Sequence, residues 1–350
     1  MIKKAVFGLI VAVIVIAAGC AENSVSEKKA AELGFKFETA NKAATIVGYT
    51  GSAKDVVLPA KIGGNSVTVI EKEAFRKNRL VSVAIPDSVT SIGVGAFYQN
   101  QLTSVTIGDS VTSIGNEAFY QNQLTNVTIP DSVVTIGDMA FYQTQLTNVT
   151  NPDSVTELGV NAFANNQLTS ITIGNSVTAI GYRVFYQNRL TSVTIPDSVI
   201  IIGAEAFRDN QLTSVTIGNS VTVIDYAAFR DNQLTSVTIG NSVTEIGVNA
   251  FANNQLTSVT IPDSVTEIGD EAFRENQLTS VTIPDSVTKI GGGAFWSDQL
   301  TSVTIPANIN LRRDYNYFSF PGNLDRVYMR GGNQAGTYIS SNGGETWTKQ

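Results

Sequence analysis

Apolar and polar positions recur along this chain with a fixed beat. A leucine returns every 22 residues from Leu80 to Leu300, and a phenylalanine keeps the same period from Phe75 to Phe295. The unit reads L-T-S-V-T-I-[PG]-[DN]-S-V-T-x-I-G-x-x-A-F-x-x-N-Q, with small variations, about eleven times over. A period in this range predicts a solenoid, in which each unit buries its apolar face against its neighbours. In Leu102–Gln123, Val105 and Ile107 alternate with Ser104 and Thr106, which predicts a short strand with the first pair inward. Gly108-Asp109-Ser110 then turns the chain, and other units place proline there, as in Pro130-Asp131-Ser132. Val111 and Ile114 return to the core, Gly115 permits a tight bend, and Phe119 is the largest core plug.

Stacking such units predicts apolar columns, with equivalent residues about 4.8 Å apart. Leu102/Leu124/Leu146, Val105/Val127/Val149 and Phe97/Phe119/Phe141 are three of them. An asparagine follows most of the phenylalanines by three residues: Asn100, Asn122, Asn166, Asn188, Asn210, Asn232, Asn254 and Asn276. Its regularity predicts a buried ladder whose amides satisfy loop backbone groups. Thr144 and Asp298 replace it in two units. Asn151 in place of the strand isoleucine and Asp225 in place of the bend glycine predict two looser repeats.

The predicted organisation is a signal segment at 1–19, a polar tether at 20–34, an N-terminal cap with a first irregular repeat at 35–75, the repeat array at 76–306, and a β-rich C-terminal cap at 307–350. Caps are needed because the ends of a solenoid otherwise expose core. Phe35–Phe37, Ala44–Tyr49 and Val56–Pro59 read as the N-terminal cap strands. The aromatics Tyr315, Tyr317, Phe318, Phe320, Tyr328, Tyr338 and Trp347 supply the C-terminal cap. The segment Ser340–Trp347 resembles an Asp-box turn with Asn342 in the aspartate position, and a single copy marks a hairpin.

The formal net charge is −7, with no basic stripe, which argues against a nucleic-acid partner. The chain has no histidine and a single cysteine. No general base or free thiol is therefore at hand, and acidic pairs recur with the repeat instead of converging, so no enzymatic activity and no cofactor are expected. Stacked turn residues such as Asp87, Asp109, Asp131 and Asp153 carry no calcium-loop spacing and read as turn stabilisers, so no metal site is expected either.

The single cysteine has its own context. Lys3 and Lys4 precede an apolar run from Ala5 to Ala18, too short for a comfortable membrane span. Ile16-Ala17-Ala18-Gly19-Cys20 then resembles the lipobox of bacterial lipoproteins, although Ala17 stands where leucine is usual. That resemblance implies cleavage before Cys20, acylation of Cys20, and an exported protein held by lipid at the bacterial envelope, on the outer membrane or cell surface. Without Lys3 and Lys4 the mature chain has 21 basic and 30 acidic side chains, a net charge of −9.

The motif I-P-D-S-V-T-x-I-G-x-x-A-F, with the strand pattern L-x-x-L-x-L, resembles the BspA-like, or Treponema-type, leucine-rich repeats of surface proteins. The resemblance covers about residues 35 to 306. It implies a curved leucine-rich repeat array, an α/β-type solenoid dominated by short parallel strands. It also implies a non-enzymatic, adhesin-like surface protein that binds host matrix protein, glycan or other cells. The alternative reading is a structural envelope lipoprotein without a specific host ligand. This chain departs from the family in unit length and in carrying asparagine where cysteine is frequent.

Two surfaces are candidates for binding. The outward strand positions, including Thr106, Thr128, Thr150 and Thr172, form a neutral face, either a hydroxyl-lined groove or plain β-formers. The residue after each phenylalanine forms an edge of Tyr98, Tyr120, Tyr142, Tyr186, Arg208, Arg230, Arg274 and Trp296. Those residue types are favoured at binding hot spots. They can equally stack and pair among themselves.

Overall fold

The computed structural model describes residues 23–296, 298–311 and 318–350. Cys20, Tyr315 and Tyr317 lie outside the described residues. The chain forms two compact units, Met1–Leu168 and Thr169–Gln350, and the repeats expected as one array over 76–306 are divided between them.

In the first unit, Phe35–Ala40 and Ala43–Tyr49 pair as an antiparallel hairpin. Tyr49 and Phe35 set their rings 5.3 and 6.4 Å from Phe75, so the hairpin covers the first ring of the phenylalanine column. Part of the segment expected as a tether is folded. Ser24–Val25 pairs with Lys61–Ile62, and Glu27–Glu32 forms a helix whose cap, Ser26, accepts from the Lys29 amide at 3.2 Å. The polar composition hid this, because burial of Ala30 alone anchors the helix.

Each repeat builds a strand where the alternation places it. In Asn148–Thr150, Val149 is buried while Asn148 and Thr150 face out. A second strand, at Ser113–Ile114 and its equivalents, is absent from the sequence expectation. It stacks in parallel with a register of one whole repeat: Ser91, Ser113, Thr135 and Glu157 align in the first unit. In the second unit the matching sheet has seven strands, from Ala179–Ile180 to Asn310–Leu311. The turn around each phenylalanine adds a third bonded side, as the Phe97 amide donates to the Ala118 carbonyl at 2.8 Å. Among the described residues no repeat contains a helix. The helices Glu27–Glu32 and Leu324–Arg330 both lie in the end segments. The fold is a β-solenoid with a spacing of about 22 residues.

Two residues per turn adopt left-handed backbone, two places before and two places after the phenylalanine. Glu117 and Gln121 have φ of 55° and 51°, and Glu205 and Asp209 have 54° and 56°. For side chains other than glycine this costs about 1–2 kcal/mol each. The conformation aims their amides at the next repeat: Glu117 donates to the Asp138 carbonyl at 2.7 Å and Gln121 to that of Tyr142 at 2.9 Å. The bend glycine serves a different need. A Cβ at Gly115 would stand 2.8 Å from the Gly93 carbonyl carbon, so close stacking, not φ, excludes a side chain there. Asp225 nonetheless keeps its amide bond to the Ile202 carbonyl at 2.9 Å, against 2.8 Å for Gly203, so its repeat is not loosened there.

Phenylalanines fill the centre. Phe97 and Phe119 stack at 5.3 Å and 6°, as do Phe207 and Phe229 at 5.3 Å and 0°. Each is fully buried, which contributes about 2 kcal/mol per ring. The asparagine ladder lies beside them as expected. Asn232 Nδ2 donates to the Phe207 and Phe229 carbonyls at 2.9 and 3.1 Å, and Oδ1 accepts from the Leu212 amide at 3.1 Å. One side chain thus satisfies backbone in two repeats. At Thr144, the single Oγ1 proton has two acceptors within reach, Asn166 Oδ1 at 2.7 Å and the Phe141 carbonyl at 3.0 Å. Asn151 is the weak point: it is buried, and both amide atoms lack a partner.

Asp298 ends the ladder. Its Oδ1 accepts from the Leu278 amide at 3.2 Å, while Oδ2 is buried without a partner. Burial, only partly opposed by the backbone of Leu278 and Asn276, raises its pKa from an ordinary 3.8 to about 8. A protonated Oδ2 is a hydroxyl donor, the chemical equivalent of the asparagine amide at this position.

Beyond the last repeat, Gly336–Ile339 pairs antiparallel with Ser302–Ile305 and with Thr348–Lys349. The Asp-box-like hairpin forms between them: Asn342 Oδ1 accepts from the Thr346 amide at 3.0 Å, and Trp347 Nε1 donates to the Gly344 carbonyl at 2.8 Å. This C-terminal segment, expected to be β-rich, also holds the helix Leu324–Arg330.

Two outcomes are expected. Asn232→Ala strands the buried Leu212 amide, at about 1–3 kcal/mol, while the Phe207 and Phe229 carbonyls each keep a bond from Asn210 or Asn254. A urea titration should show a loss of about 1–3 kcal/mol, and a loss under about 0.5 kcal/mol would show that the ladder is not structural. For Asp298, the folded chain keeps a proton that the unfolded chain releases near its ordinary value of 3.8. Stability should therefore fall as pH rises from about 4 to about 8, by up to about 1.4 kcal/mol per pH unit. Asp298→Asn should flatten that slope and raise Tm at pH 8; an unchanged slope would mean the carboxyl is ionised in the fold.

Candidate functional site

The edge after each phenylalanine is fixed by the same turn that fixes the core. In the first unit Tyr98, Tyr120 and Tyr142 are half-buried. Their rings stack at 4.8 and 5.3 Å, each pair tilted by only 6°. The Arg76 guanidinium lies 4.9 Å over the Tyr98 ring and closes the stack with a cation–π contact. Burial raises the Tyr120 pKa, and its neighbours Tyr98 and Tyr142 add to that shift. A glutamine ladder runs alongside: Gln99 donates to Gln121 at 2.5 Å, and Gln121 to Gln143 at 2.7 Å.

In the second unit the edge becomes charged. Arg183 lies 4.9 Å over Tyr186 and 4.8 Å over Tyr182. It also grips Glu205 through two nitrogens, at 2.9 and 3.1 Å. Arg208 reaches Glu205 at 3.2 Å and Asp231 at 3.2 Å. Burial works against the Arg208 charge, but Asp209, Asp231 and Glu205 outweigh it and hold the guanidinium above its ordinary pKa. Arg230 Nε sits 3.3 Å from Asp231 without hydrogen-bond geometry. Arg274 pairs with Glu271 at 2.9 Å and Glu275 at 3.0 Å. Trp296 is half-buried.

The edge residues named from sequence are thus brought together in two sets, Tyr98/Tyr120/Tyr142 and Tyr186/Arg208/Arg230. The sequence reading missed Arg183 and Glu205. Glu205 is 5% exposed yet holds two guanidiniums, so it organises the cluster. The only signal was its offset of one repeat from Arg183 and of three residues from Arg208.

The strand face is different. Thr106, Thr128, Thr150 and Thr172 are all exposed. Three places before, other threonines are spent on the fold: the Thr213 and Thr235 hydroxyls donate to the carbonyl one repeat back, each at 3.2 Å. The turn aspartates act as turn residues, as Asp87 Oδ1 accepts the Asp109 amide at 3.1 Å. Among the described residues no group of acidic or cysteine side chains is arranged to hold a metal ion, and no helix is long and apolar enough to cross a membrane.

Comparison with known proteins agrees with this geometry. The family model for the BspA type leucine-rich repeat region (6 copies) matches residues 53–168, 112–235, 178–301 and 222–339. A leucine rich cell surface protein from Faecalibacterium prausnitzii A2-165 is 30% identical, covers 79% of this chain and 88% of its own, and superimposes with a TM-score of 0.50. The T. pallidum leucine-rich repeat protein is 26% identical over 63% of this chain and 86% of its own, with a TM-score of 0.34. The pneumococcal vaccine antigen PcpA is 20% identical over 79% of this chain and 80% of its own, with a TM-score of 0.49. No curated protein matches the chain. A family model that spans most of the repeats identifies the chain as a member of the BspA-type leucine-rich repeat family.

Proposed function

We propose that this chain is a non-enzymatic, adhesin-like binding protein that is exported, lipid-anchored through Cys20, and displayed on the bacterial cell surface. Its ligand is a macromolecule, an extracellular-matrix protein or a glycan, engaged along the repeat surface. One observation carries this reading most: the aromatic edge Tyr98–Tyr120–Tyr142 is stacked and held rigid by the turns, so it presents three rings with little rotamer freedom left to lose. The family and the surface location of the F. prausnitzii relative support it.

A second reading, a structural envelope lipoprotein, draws support from the charged edge. There Arg183, Arg208 and Arg274 spend their charge on neighbouring carboxylates of the same chain. Cation and carboxylate paired in this way contribute modestly to stability and leave less for a ligand.

The two readings part on binding. The purified chain, tested against immobilised fibronectin, fibrinogen, laminin and a glycan panel, should show saturable binding to at least one. Tyr98→Ala/Tyr120→Ala/Tyr142→Ala should then weaken it by at least tenfold, about 1.4 kcal/mol. The variant's unfolding transition checks that the turns survive. Binding to none would put the structural reading first, and unchanged binding by the triple variant would remove the tyrosine edge from the site.

A further inference from the structure

Exposed large apolar side chains gather on one face of the second unit. Tyr182, Ile200, Ile201, Tyr226 and Val248 are 37–48% exposed and fall within four consecutive repeats. Ile201 stands in strand register with Ala179 on one side and Val223 on the other, so the three form a row with about 4.8 Å between neighbours. The same position carries Ser91 and Ser113 in the first unit, and Glu245, Glu267 and Lys289 farther along the second. Ile200 departs from the period as well. Its equivalents in the next two repeats, Thr222 and Thr244, donate their hydroxyls to the carbonyl one repeat back at 3.2 and 3.1 Å, and isoleucine gives that bond up. Single exposed apolar residues are ordinary, but a contiguous set that forgoes a hydrogen bond marks an interaction surface.

A charge within the patch indicates what covers it. Asp225 takes the bend position that Gly203 and Gly247 hold in the adjoining repeats, and it is exposed beside Tyr226. Its Oδ1 accepts the Tyr226 amide at 2.6 Å, and its Oδ2 has no partner among the described residues. Glu245, at the end of the row, is exposed and pairs with no cation among them either. The chain itself shows how a ring and a carboxylate of this kind are filled. Two repeats earlier the equivalent ring, Tyr182, carries the Arg183 guanidinium at 4.8 Å, and Arg183 is bonded in turn to Glu205 at 2.9 Å. At Tyr226 the arginine position holds Ala227, so the chain supplies the ring and the carboxylate but no cation.

We propose that this face docks a segment of a partner protein that carries an arginine among aliphatic residues. The guanidinium lies over Tyr226 against Asp225, and the aliphatic side chains cover Ile201 and Val223. Two other occupants fit less well. A second copy of this chain, face on face, would bury Asp225 and Glu245 against their own kind, because Arg183 beside the patch is already held by Glu205. An anionic membrane would be repelled by the same carboxylates. The inference goes beyond the binding reading above and does not use the tyrosine edge, so each can fail while the other stands.

The test pans the immobilised full chain with a displayed library of random dodecapeptides, then measures the enriched sequences as synthetic peptides by fluorescence polarisation at two salt concentrations. Two variants install residues that equivalent repeats of this chain already carry: Asp225→Gly, and Ile200→Thr/Ile201→Thr. Unfolding midpoints no lower than the parent's show that any loss is local. A peptide with citrulline in place of arginine removes the charge without touching the protein. The expected result is enrichment of peptides that join arginine to aliphatic residues, bound about tenfold more weakly by each variant and at high salt. The citrulline peptide should lose as much on the parent, and lose nothing further on Asp225→Gly. The proposal is overturned if no peptide is enriched, if the enriched peptides lack arginine, if citrulline binds as well, or if either variant binds as the parent does. A parent dimer by light scattering that Ile200→Thr/Ile201→Thr dissolves would overturn it in favour of a second copy.

Discussion

Register is the constraint on which the structure depends, and the buried asparagine imposes it. The phenylalanine, leucine and isoleucine columns supply most of the stabilisation, but apolar contact is non-directional and tolerates sliding. An amide that must find two carbonyls and one amide hydrogen at once tolerates none. Asn210 bonds Phe185, Phe207 and Leu190 in this way, and Asn254 bonds Phe229, Phe251 and Leu234. The bonds span two repeats, so each asparagine ties its own turn to the one before it. A buried polar group that fails costs more than one that succeeds contributes. The ladder therefore penalises every wrong register more than it rewards the right one.

Once register is fixed, every surface residue is placed against its equivalent one repeat away. This explains why the edge behaves as columns. Tyrosines stack on tyrosines, glutamines bond glutamines, and arginines meet carboxylates of the next turn. Arg208 and Arg230 follow one another in one column, and the carboxylates of the neighbouring columns, Glu205 and Asp231, offset their repulsion. Arg183, Glu205 and Arg208 form such an arrangement, with Glu205 held between two guanidiniums.

Much of this was legible because periodicity reports burial. The leucine, phenylalanine and asparagine columns and the outward threonines all follow from which positions resist variation within one chain. What escaped notice depends on backbone conformation that composition does not encode. The second strand is two residues long and carries serine, threonine, glutamate or lysine on its outer position, so no alternation marks it. The left-handed positions hold Glu117, Met139, Arg183 and Ala227, residues that rarely adopt that backbone. Gly95 and Gly293, with Asn161 and Asn249, at the same place in other repeats, were the hints. The Glu205 cluster was hidden because its partners are a repeat apart and differ in kind. The folded stretch at Ser24–Glu32 was hidden because one alanine carries its burial.

Departures from the period are informative in a chain so regular, and the turn column separates two kinds. Aspartate there gives short, charge-assisted bonds: 3.1 Å from the Asp109 amide to Asp87, and 2.6 Å from the Asn219 amide to Asp197. Asparagine gives a weaker one, 3.4 Å from the Asn241 amide to Asn219. Repulsion between stacked, exposed carboxylates is worth only about 1 kcal/mol in water and falls with salt. The first unit tolerates it, with Asp87, Asp109, Asp131 and Asp153 in consecutive turns. Relief of repulsion therefore does not explain why Asn219 and Asn241 stand where aspartate bonds the turn better. Close stacking accounts for the adjacent glycines: a Cβ at Gly218 would stand 2.7 Å from the Pro196 carbonyl oxygen, and one at Gly240 would run into that of Gly218. The turn column thus gives up the stronger aspartate bond at Asn219 without a gain in charge, and nothing in the structure explains that exchange.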